Sequence, residues 1–163
     1  MTTTDQLLQN NARYAESFDR GELPGPPSGH IAIVACMDAR FHVSKVLGLE
    51  EGEAHIIRNA GGVVTDDVIR SLAISQRLLG TREVMVIQHT GCGMLTFSDD
   101  EFRRDLQGET GIRPTWSAES FTDLEDEVRQ NLARITASPF IPHRQSVRGF
   151  LYDVQTGRLR EVR

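Results

Sequence analysis

The residues best suited to chemistry fall in two short groups, Cys36-Met-Asp38-Ala-Arg40 and His89-Thr-Gly-Cys92-Gly. Thiolate and imidazole are ligands that suit zinc, which usually takes about four ligands in tetrahedral geometry. Cys36, His89 and Cys92 therefore form a candidate set of three protein ligands. A structural zinc site normally adds a fourth Cys or His, whereas a catalytic site keeps that position for water. This donor set favours a catalytic zinc ion, one per chain.

The alternative for the two cysteines is a pair of buried free thiols, because two cysteines are too few for a disulfide framework. The other histidines do not supply a fourth ligand. His30 and His55 begin predicted strands and should lie at the opposite end of the sheet, and His42 and His143 have no ligand-like neighbour in the sequence. We expect surface or packing roles for these four residues.

Asp38 and Arg40 are two residues apart on the segment that follows Cys36, so their side chains can meet. A guanidinium would keep the carboxylate ionised and fix its orientation. Asp38 could bind the metal itself or stand beside a zinc-bound hydroxide, accept its hydrogen bond and aim a lone pair at an electrophile. An ordinary surface ion pair is the alternative, and the proximity of Cys36 argues against it.

The elements that must position these residues follow from hydrophobic patterning and turn residues. β-Branched runs predict strands, and apolar residues at helical spacing predict helices. Thr65 and Gly80 are expected to cap a long helix, and a capping box at Ser98 begins a shorter one. The predicted strands are 30–35, 55–58, 83–89, 147–154 and 158–163, and the predicted helices are 4–18, 43–47, 65–80, one from 98 and one across 124–135, with a loop at 108–117.

Strands that alternate with helices imply parallel pairing through right-handed crossovers. The predicted fold is a three-layer α/β domain with a mostly parallel β-sheet, an antiparallel C-terminal edge strand and an N-terminal helical arm. Ligand sites in such sheets form beyond the carboxyl ends of the strands. Cys36 and His89 end neighbouring strands in this scheme, so we expect the zinc ligands to meet at that edge.

The organisation along the chain is one domain, residues 1–163, which its length allows. Residues 1–28 form the helical arm and a Pro/Gly linker, and residues 29–163 form the α/β zinc-binding core. A helix ahead of such a linker cannot easily fold back onto the core. It either packs on another subunit or lies loosely on the surface.

Composition excludes several classes of function. Hydrophobic residues make up 39% and charged residues 25%, as in ordinary globular proteins. A net charge of −5 argues against binding to nucleic acid or to an anionic membrane. No apolar stretch approaches the roughly 20 residues that span a bilayer. The first residues lack a basic start and an apolar core, so no secretory signal is visible and a cytoplasmic location is expected.

Three motifs, in this order, resemble those of the β-carbonic anhydrases. They are Cys-x-Asp-x-Arg at residues 36–40, Arg-Asn-Ala-Gly-Gly at 58–62, and His-x-x-Cys-Gly at 89–93. The last motif alone is a weak signal, but the three together, each at a predicted strand end, are specific. Gly61 and Gly62 are expected to shape the backbone beside the site, although an ordinary turn would also use such a pair.

The resemblance implies zinc on Cys36, His89 and Cys92, with Asp38 and Arg40 as a catalytic dyad. The reaction it implies is the reversible hydration of carbon dioxide to bicarbonate and a proton. It also implies a closed state, found in some members, in which Asp38 is the fourth zinc ligand. A homodimer in which the N-terminal helix reaches across the partner is implied as well, with tetramers as a further option.

Two other functions remain open at this point. Short relatives in the resembled family include hydrolases of carbonyl sulfide or carbon disulfide, which use the same zinc site, so the ligands do not fix the substrate. A non-catalytic zinc or thiol-redox module is the more distant alternative. The Asp38–Arg40 pair and the absence of a CxxC motif argue against it.

Overall fold

A computed structural model describes residues 1–163, all of the chain. Its elements, in chain order, are α1 (Thr3–Ala15), β1 (Ile31–Cys36), α2 (Val43–Leu47), β2 (Ala54–Asn59), a 3₁₀ turn (Ala60–Gly62), α3 (Asp66–Leu79), β3 (Glu83–His89), a second 3₁₀ turn (Gly93–Leu95), α4 (Asp99–Thr110), α5 (Leu124–Ala137), β4 (Val147–Tyr152) and β5 (Leu159–Val162).

The five strands form one sheet in the order β2-β1-β3-β4-β5. The first four are parallel and β5 is antiparallel to β4. Cys36 at the end of β1 pairs with Asn59 at the end of β2, and Ala35 pairs with Ile87, two residues before the end of β3. This register brings the carboxyl ends of three strands to one edge. The mostly parallel sheet with an antiparallel edge strand, predicted from the sequence, is confirmed.

The sheet is covered on both faces, which gives the predicted three layers. Alternate residues of each strand point to opposite faces. On one face, Val34 and Val86 pack with Leu72 of α3 and Ile135 of α5. On the other face, the core contains Ile33, Phe41, Val43, Ile87 and Tyr152, and it includes the start of α2.

Thr65 and Gly80, the capping residues expected from the sequence, cap the two ends of α3. Thr65 accepts a hydrogen bond from the backbone N–H of Val68, and Gly80 takes a left-handed conformation with φ 75°. Two helices end elsewhere than predicted. α1 ends at Ala15, three residues before the expected end, and α4 continues to Thr110, although a loop was expected from Gly108. Gly108 faces open space and is accommodated inside the helix. Gly111, whose φ is 77°, ends the helix instead.

The N-terminal helix α1 begins with a reciprocal capping box between Thr2 and Asp5, and none of its residues is buried. Leu7, Leu8 and Tyr14 are exposed. The Tyr14 hydroxyl donates a hydrogen bond of 2.8 Å to Glu51, which joins the helix to the core. None of the helices combines the length and the apolar character needed to cross a bilayer.

Candidate metal centre

Three metal-binding side chains meet beyond the carboxyl edge of the sheet. Cys36 ends β1, His89 ends β3, and Cys92 immediately precedes the second 3₁₀ turn. Their ligand atoms all lie within 4.8 Å of one another, and all three residues are buried. Val63, Met94 and Phe121 pack around the two cysteines and shield them from water. The set of two sulfurs and one imidazole nitrogen suits zinc, as the sequence predicted.

The orientation of His89 supports this assignment. Its Nδ1 lies 3.0 Å from the carbonyl oxygen of Thr90, so Nδ1–H donates a hydrogen bond there and Nε2 carries the lone pair. His89 is 0% exposed. Nε2 has no hydrogen-bond partner, which is costly for a buried polar atom. A metal ion held among these three side chains would satisfy it.

Thr90 is itself held in place by the neighbouring strand. Its N–H donates to the carbonyl of Tyr152 at 2.9 Å, and its hydroxyl accepts from the N–H of Val154 at 3.1 Å. The carbonyl that orients the His89 ring is therefore fixed by β4 and the turn that follows it. Sequence reasoning did not identify Thr90, because its contribution is a backbone carbonyl.

The electrostatics of the cluster favour a thiolate at Cys36 and a protonated thiol at Cys92. The Cys92 thiol donates a hydrogen bond to the Cys36 sulfur, and this bond, together with the nearby His89 ring, lowers the pKa of Cys36 although burial opposes the charge. The same hydrogen bond raises the pKa of Cys92, because its proton is shared with the neighbouring sulfur. Burial disfavours a charged His89, but the Cys36 thiolate and the Thr90 carbonyl outweigh burial and raise its pKa.

Asp38 and Arg40 form a bidentate ion pair beside this cluster. Arg40 Nε lies 3.0 Å from Oδ1 of Asp38, and Nη2 lies 2.7 Å from Oδ2. The backbone N–H of Arg40 also donates to Oδ1, at 2.8 Å. These hydrogen bonds, the one from the Arg40 side chain above all, hold the pKa of Asp38 well below its ordinary value.

The pair is also tied to the other ligand loop. Arg40 Nη2 donates to the carbonyl of Gly91 at 3.0 Å, between His89 and Cys92 in the sequence. Oδ2 of Asp38 lies 3.7 Å from Nε2 of His89, but Asp38 is outside the three-residue cluster. In this structure the Asp38 carboxylate is bonded to Arg40 and adjoins the candidate metal position.

The two glycines expected beside the site form a tight turn against β1. Gly61 and Gly62 both have positive φ, 79° and 61°, which disfavours any other residue. A side chain at Gly62 would place its Cβ 2.7 Å from the backbone nitrogen of Cys36. The turn is closed by Asn59, whose amide donates to the Val63 carbonyl at 2.8 Å and accepts from the Val63 N–H at 2.9 Å.

The remaining histidines lie elsewhere, as the sequence led us to expect. His30 Nδ1 is 3.1 Å from the Gly80 carbonyl oxygen, and His55 Nδ1 is 2.8 Å from the Ser75 hydroxyl oxygen, both near the amino ends of the strands. His42 caps α2. His143 bonds through its backbone to Gln76.

An open cavity of about 710 Å³ lies beside the metal centre. Ala60 and Val63 from the glycine turn form one side, and Met94, which packs on the two cysteines, forms another. Phe97, Phe102, Trp116 and Ala118 complete its apolar wall, and Asp67 and Glu119 are the acidic residues of its lining. The cavity offers a small uncharged molecule an apolar environment next to the cluster.

Comparison with known proteins places this site in a family. The family model described as carbonic anhydrase matches residues 31–118. The chain is 65% identical over 162 residues to β-carbonic anhydrase 1 of Mycobacterium tuberculosis, covering 99% of both chains. It is 35% identical to a carbon disulfide hydrolase of Saccharolobus solfataricus, over 96% of this chain and 89% of that protein.

Solved structures give the same result. The fold matches a carbonic anhydrase from Streptococcus mutans with a TM-score of 0.93 and 45% identity, over 100% of this chain and 99% of that one. A carbon disulfide hydrolase matches with a TM-score of 0.72 and 29% identity, over 97% of this chain and 91% of that one. From the three motifs, the metal-binding cluster and these matches, we conclude that this chain belongs to the β-carbonic anhydrase family.

Proposed function

We propose that this protein catalyses the reversible hydration of carbon dioxide to bicarbonate and a proton. The observation that carries the proposal is the buried cluster of Cys36, His89 and Cys92 next to an aspartate that Arg40 holds outside it. The 65% identity to a protein named as a β-carbonic anhydrase supports the same reaction.

Zinc would be held by Cys36, His89 and Cys92. When bound there, zinc acts as a Lewis acid that lowers the pKa of a water ligand to about 7. With zinc bound, both thiols would be deprotonated and the imidazole neutral, with its tautomer fixed by the Thr90 carbonyl. The hydrophobic surroundings of Val63, Met94 and Phe121 exclude competing water from the sulfurs.

Asp38 would orient the attacking oxygen. Because Arg40 keeps its carboxylate ionised, Asp38 can only accept hydrogen bonds, so it directs the O–H of the nucleophile toward itself. A lone pair on the oxygen is then aimed away from Asp38, at the carbon of carbon dioxide. One C–O bond forms, one C=O π bond opens, and the proton from water passes to solvent.

The apolar wall of the cavity fits carbon dioxide, which is linear and uncharged. Met94 and Phe102 present apolar surface there, with no strong hydrogen-bonding group. Stopped-flow measurement of carbon dioxide hydration by the zinc-loaded protein tests the proposal. Sulfide release from carbonyl sulfide and carbon disulfide should be assayed on the same sample, and fast sulfide release with negligible carbon dioxide hydration would refute the proposed substrate.

The role of Asp38 is tested by Asp38→Ala, with Asp38→Asn as an isosteric variant. We expect both to lose most turnover and to keep about one zinc per chain. Asp105→Ala, an exposed residue of α4, is the matched control and should keep normal activity. Full activity of Asp38→Ala with unchanged zinc content would show that Asp38 does not orient the nucleophile.

We further propose that residues 29–163 form a single zinc-binding core and residues 1–28 an arm that packs on a second copy. The exposed Leu7, Leu8 and Tyr14 of α1 support this, because α1 has no buried residue and these apolar side chains remain exposed. Light scattering after gel filtration should give the mass of a dimer or tetramer, and Leu7→Asp with Leu8→Asp should lower it. A monomeric wild type would refute the arm contact.

A cytoplasmic location is also proposed, because Cys36 and Cys92 are both free thiols, which a reducing compartment maintains. Immunodetection in fractions of the source cell tests it, and recovery outside the cytoplasmic fraction would refute it.

A further inference from the structure

Arg58, near the end of β2, is bonded to the loop that carries both Cys36 and Asp38. Its Nε donates to the carbonyl of Cys36 at 2.8 Å, and its Nη2 donates to the carbonyl of Asp38 at 2.7 Å. The two carbonyls lie on either side of Met37, which is exposed. One guanidinium therefore spans the residues that connect a candidate metal ligand to the candidate orienting carboxylate.

Two backbone hydrogen bonds also hold this loop. The Met37 N–H donates to the carbonyl of Asn59 at 2.8 Å, which continues the β1–β2 pairing by one residue. The Asp38 carbonyl also accepts from the Phe41 N–H at 3.1 Å, a bond inside the same loop. Arg58 donates to the Asp38 carbonyl from β2, and so it ties that backbone to the sheet.

The direction of the Asp38 carboxylate decides what the site can do. Its two oxygens are bonded to Arg40, yet Oδ2 is only 3.7 Å from Nε2 of His89. Zinc–oxygen and zinc–nitrogen bonds are each about 2 Å long. A small movement of the loop would therefore let the carboxylate exchange Arg40 for a metal ion bound to His89.

We propose that Arg58 is a positioning residue that holds the Asp38 backbone so that the carboxylate stays on Arg40 and off the metal. The inference rests on the zinc site and on the orienting role of Asp38 proposed above. Arg58 does this through backbone carbonyls, and its planar guanidinium spans two acceptors at once, which a lysine ammonium on a flexible stem does less well.

Arg58→Met, which keeps the aliphatic stem and removes the donors, tests the proposal in protein loaded with cobalt(II). The visible spectrum of cobalt and its change on adding azide report whether an exogenous ligand can reach the metal. We expect the wild type to bind azide, and Arg58→Met to keep one metal per chain but to bind azide at least 10-fold more weakly. Its kcat/KM in the zinc form should fall 10- to 100-fold.

The double variant Arg58→Met with Asp38→Ala separates positioning from general damage. If the Asp38 carboxylate blocks the metal in Arg58→Met, its removal should restore azide binding to the wild-type range. A merely destabilised loop would not be repaired in this way. Arg82→Met, an exposed arginine at the other end of the sheet, is the control for loss of one positive charge and should bind azide normally.

Arg58→Lys provides a second route if Arg58→Met does not fold. Lysine retains the positive charge and one donor group. We expect its azide affinity to lie between those of the wild type and Arg58→Met. Where Arg58→Met is not obtained, we expect Arg58→Lys to bind azide at least fivefold more weakly than the wild type. Wild-type azide affinity in the folded arginine variants would overturn the role of Arg58. A wild type that binds no metal would instead refute the proposed function, so the two failures are distinguishable.

Discussion

Replacing Glu127 by glutamine is expected to stabilise the protein at pH 8 and to have a much smaller effect at pH 5. Glu127 lies on α5 and is 6% exposed. Its Oε1 accepts a hydrogen bond of 2.8 Å from the amide of Asn131. Asn131 Oδ1 accepts in turn from the backbone N–H of Val64, at 2.7 Å, just after the glycine turn. Glutamine keeps an oxygen for Asn131 and carries no charge.

The magnitude follows from the pKa of Glu127. Burial raises this pKa from 4.5 to about 7, although the Asn131 hydrogen bond and Arg134 act in the opposite direction and Glu119 adds to the increase. The folded protein thus holds a proton between about pH 4.5 and 7 that the unfolded chain releases. Stability from this group is therefore present at low pH and is lost as pH rises through that window. The full difference is about 3 kcal/mol.

Urea unfolding of zinc-loaded wild type and Glu127→Gln at both pH values measures the effect. We expect the variant to gain roughly 1 to 3 kcal/mol at pH 8 and under about 1 kcal/mol at pH 5. Other pH-dependent groups are common to both proteins and cancel in the difference. Glu125→Gln is the control on the same helix. Ion pairs with Arg160 and Arg129 lower its pKa, so glutamine there should give no gain at pH 8.

The burial argument would be refuted if Glu127→Gln were no more stable than wild type at pH 8, or if its gain were equal at the two pH values. Either result would mean that Glu127 is ionised at little cost in the folded protein.

Three further predictions concern the site and its supports. Gly62→Ala should lose about 2 to 4 kcal/mol in urea unfolding, because its Cβ would meet backbone 2.7 Å away at positive φ. Gly80→Ala, with similar φ but open space, should lose only about 1 kcal/mol, and equal losses would contradict this reasoning. Arg40→Gln should lower kcat/KM in stopped-flow assays about 10- to 100-fold with zinc retained, and unchanged kcat/KM would exclude a role for the pair. Asp99→Ala removes the acceptor for the Ser120 N–H at 2.8 Å, so hydrogen exchange should show faster opening of the 112–121 segment, and unaltered protection would refute that anchor.

The sheet and its capped helices could be predicted from the sequence because their determinants are local. β-Branched runs define β1 and β3. The Thr65 hydroxyl caps the start of α3, and Gly80 ends the helix in a left-handed conformation. The strand ends then bring Cys36 and His89 together, since neighbouring parallel strands end at the same edge. The zinc donor set and the family followed from these residues and their motifs.

What the sequence did not reveal depends on side chains that reach between elements. Arg58 and Asn59 stood in a recognised motif, but their bonds to the Cys36 loop and to Val63 depend on register and rotamer. Glu127 and Asn131 are four residues apart on one helix, so their hydrogen bond could have been predicted from their spacing. Its burial could not, because burial depends on how α5 packs against the turn after β2.

The central claim is that two cysteines and one histidine hold zinc at this edge of the sheet. X-ray absorption at the zinc edge of the purified protein tests it most directly. The account predicts about two sulfur neighbours near 2.3 Å and light-atom neighbours near 2.0 Å. The sulfurs should fall to about one in Cys92→Ser. A zinc shell of nitrogen and oxygen alone, or one unchanged in Cys92→Ser, would contradict the account.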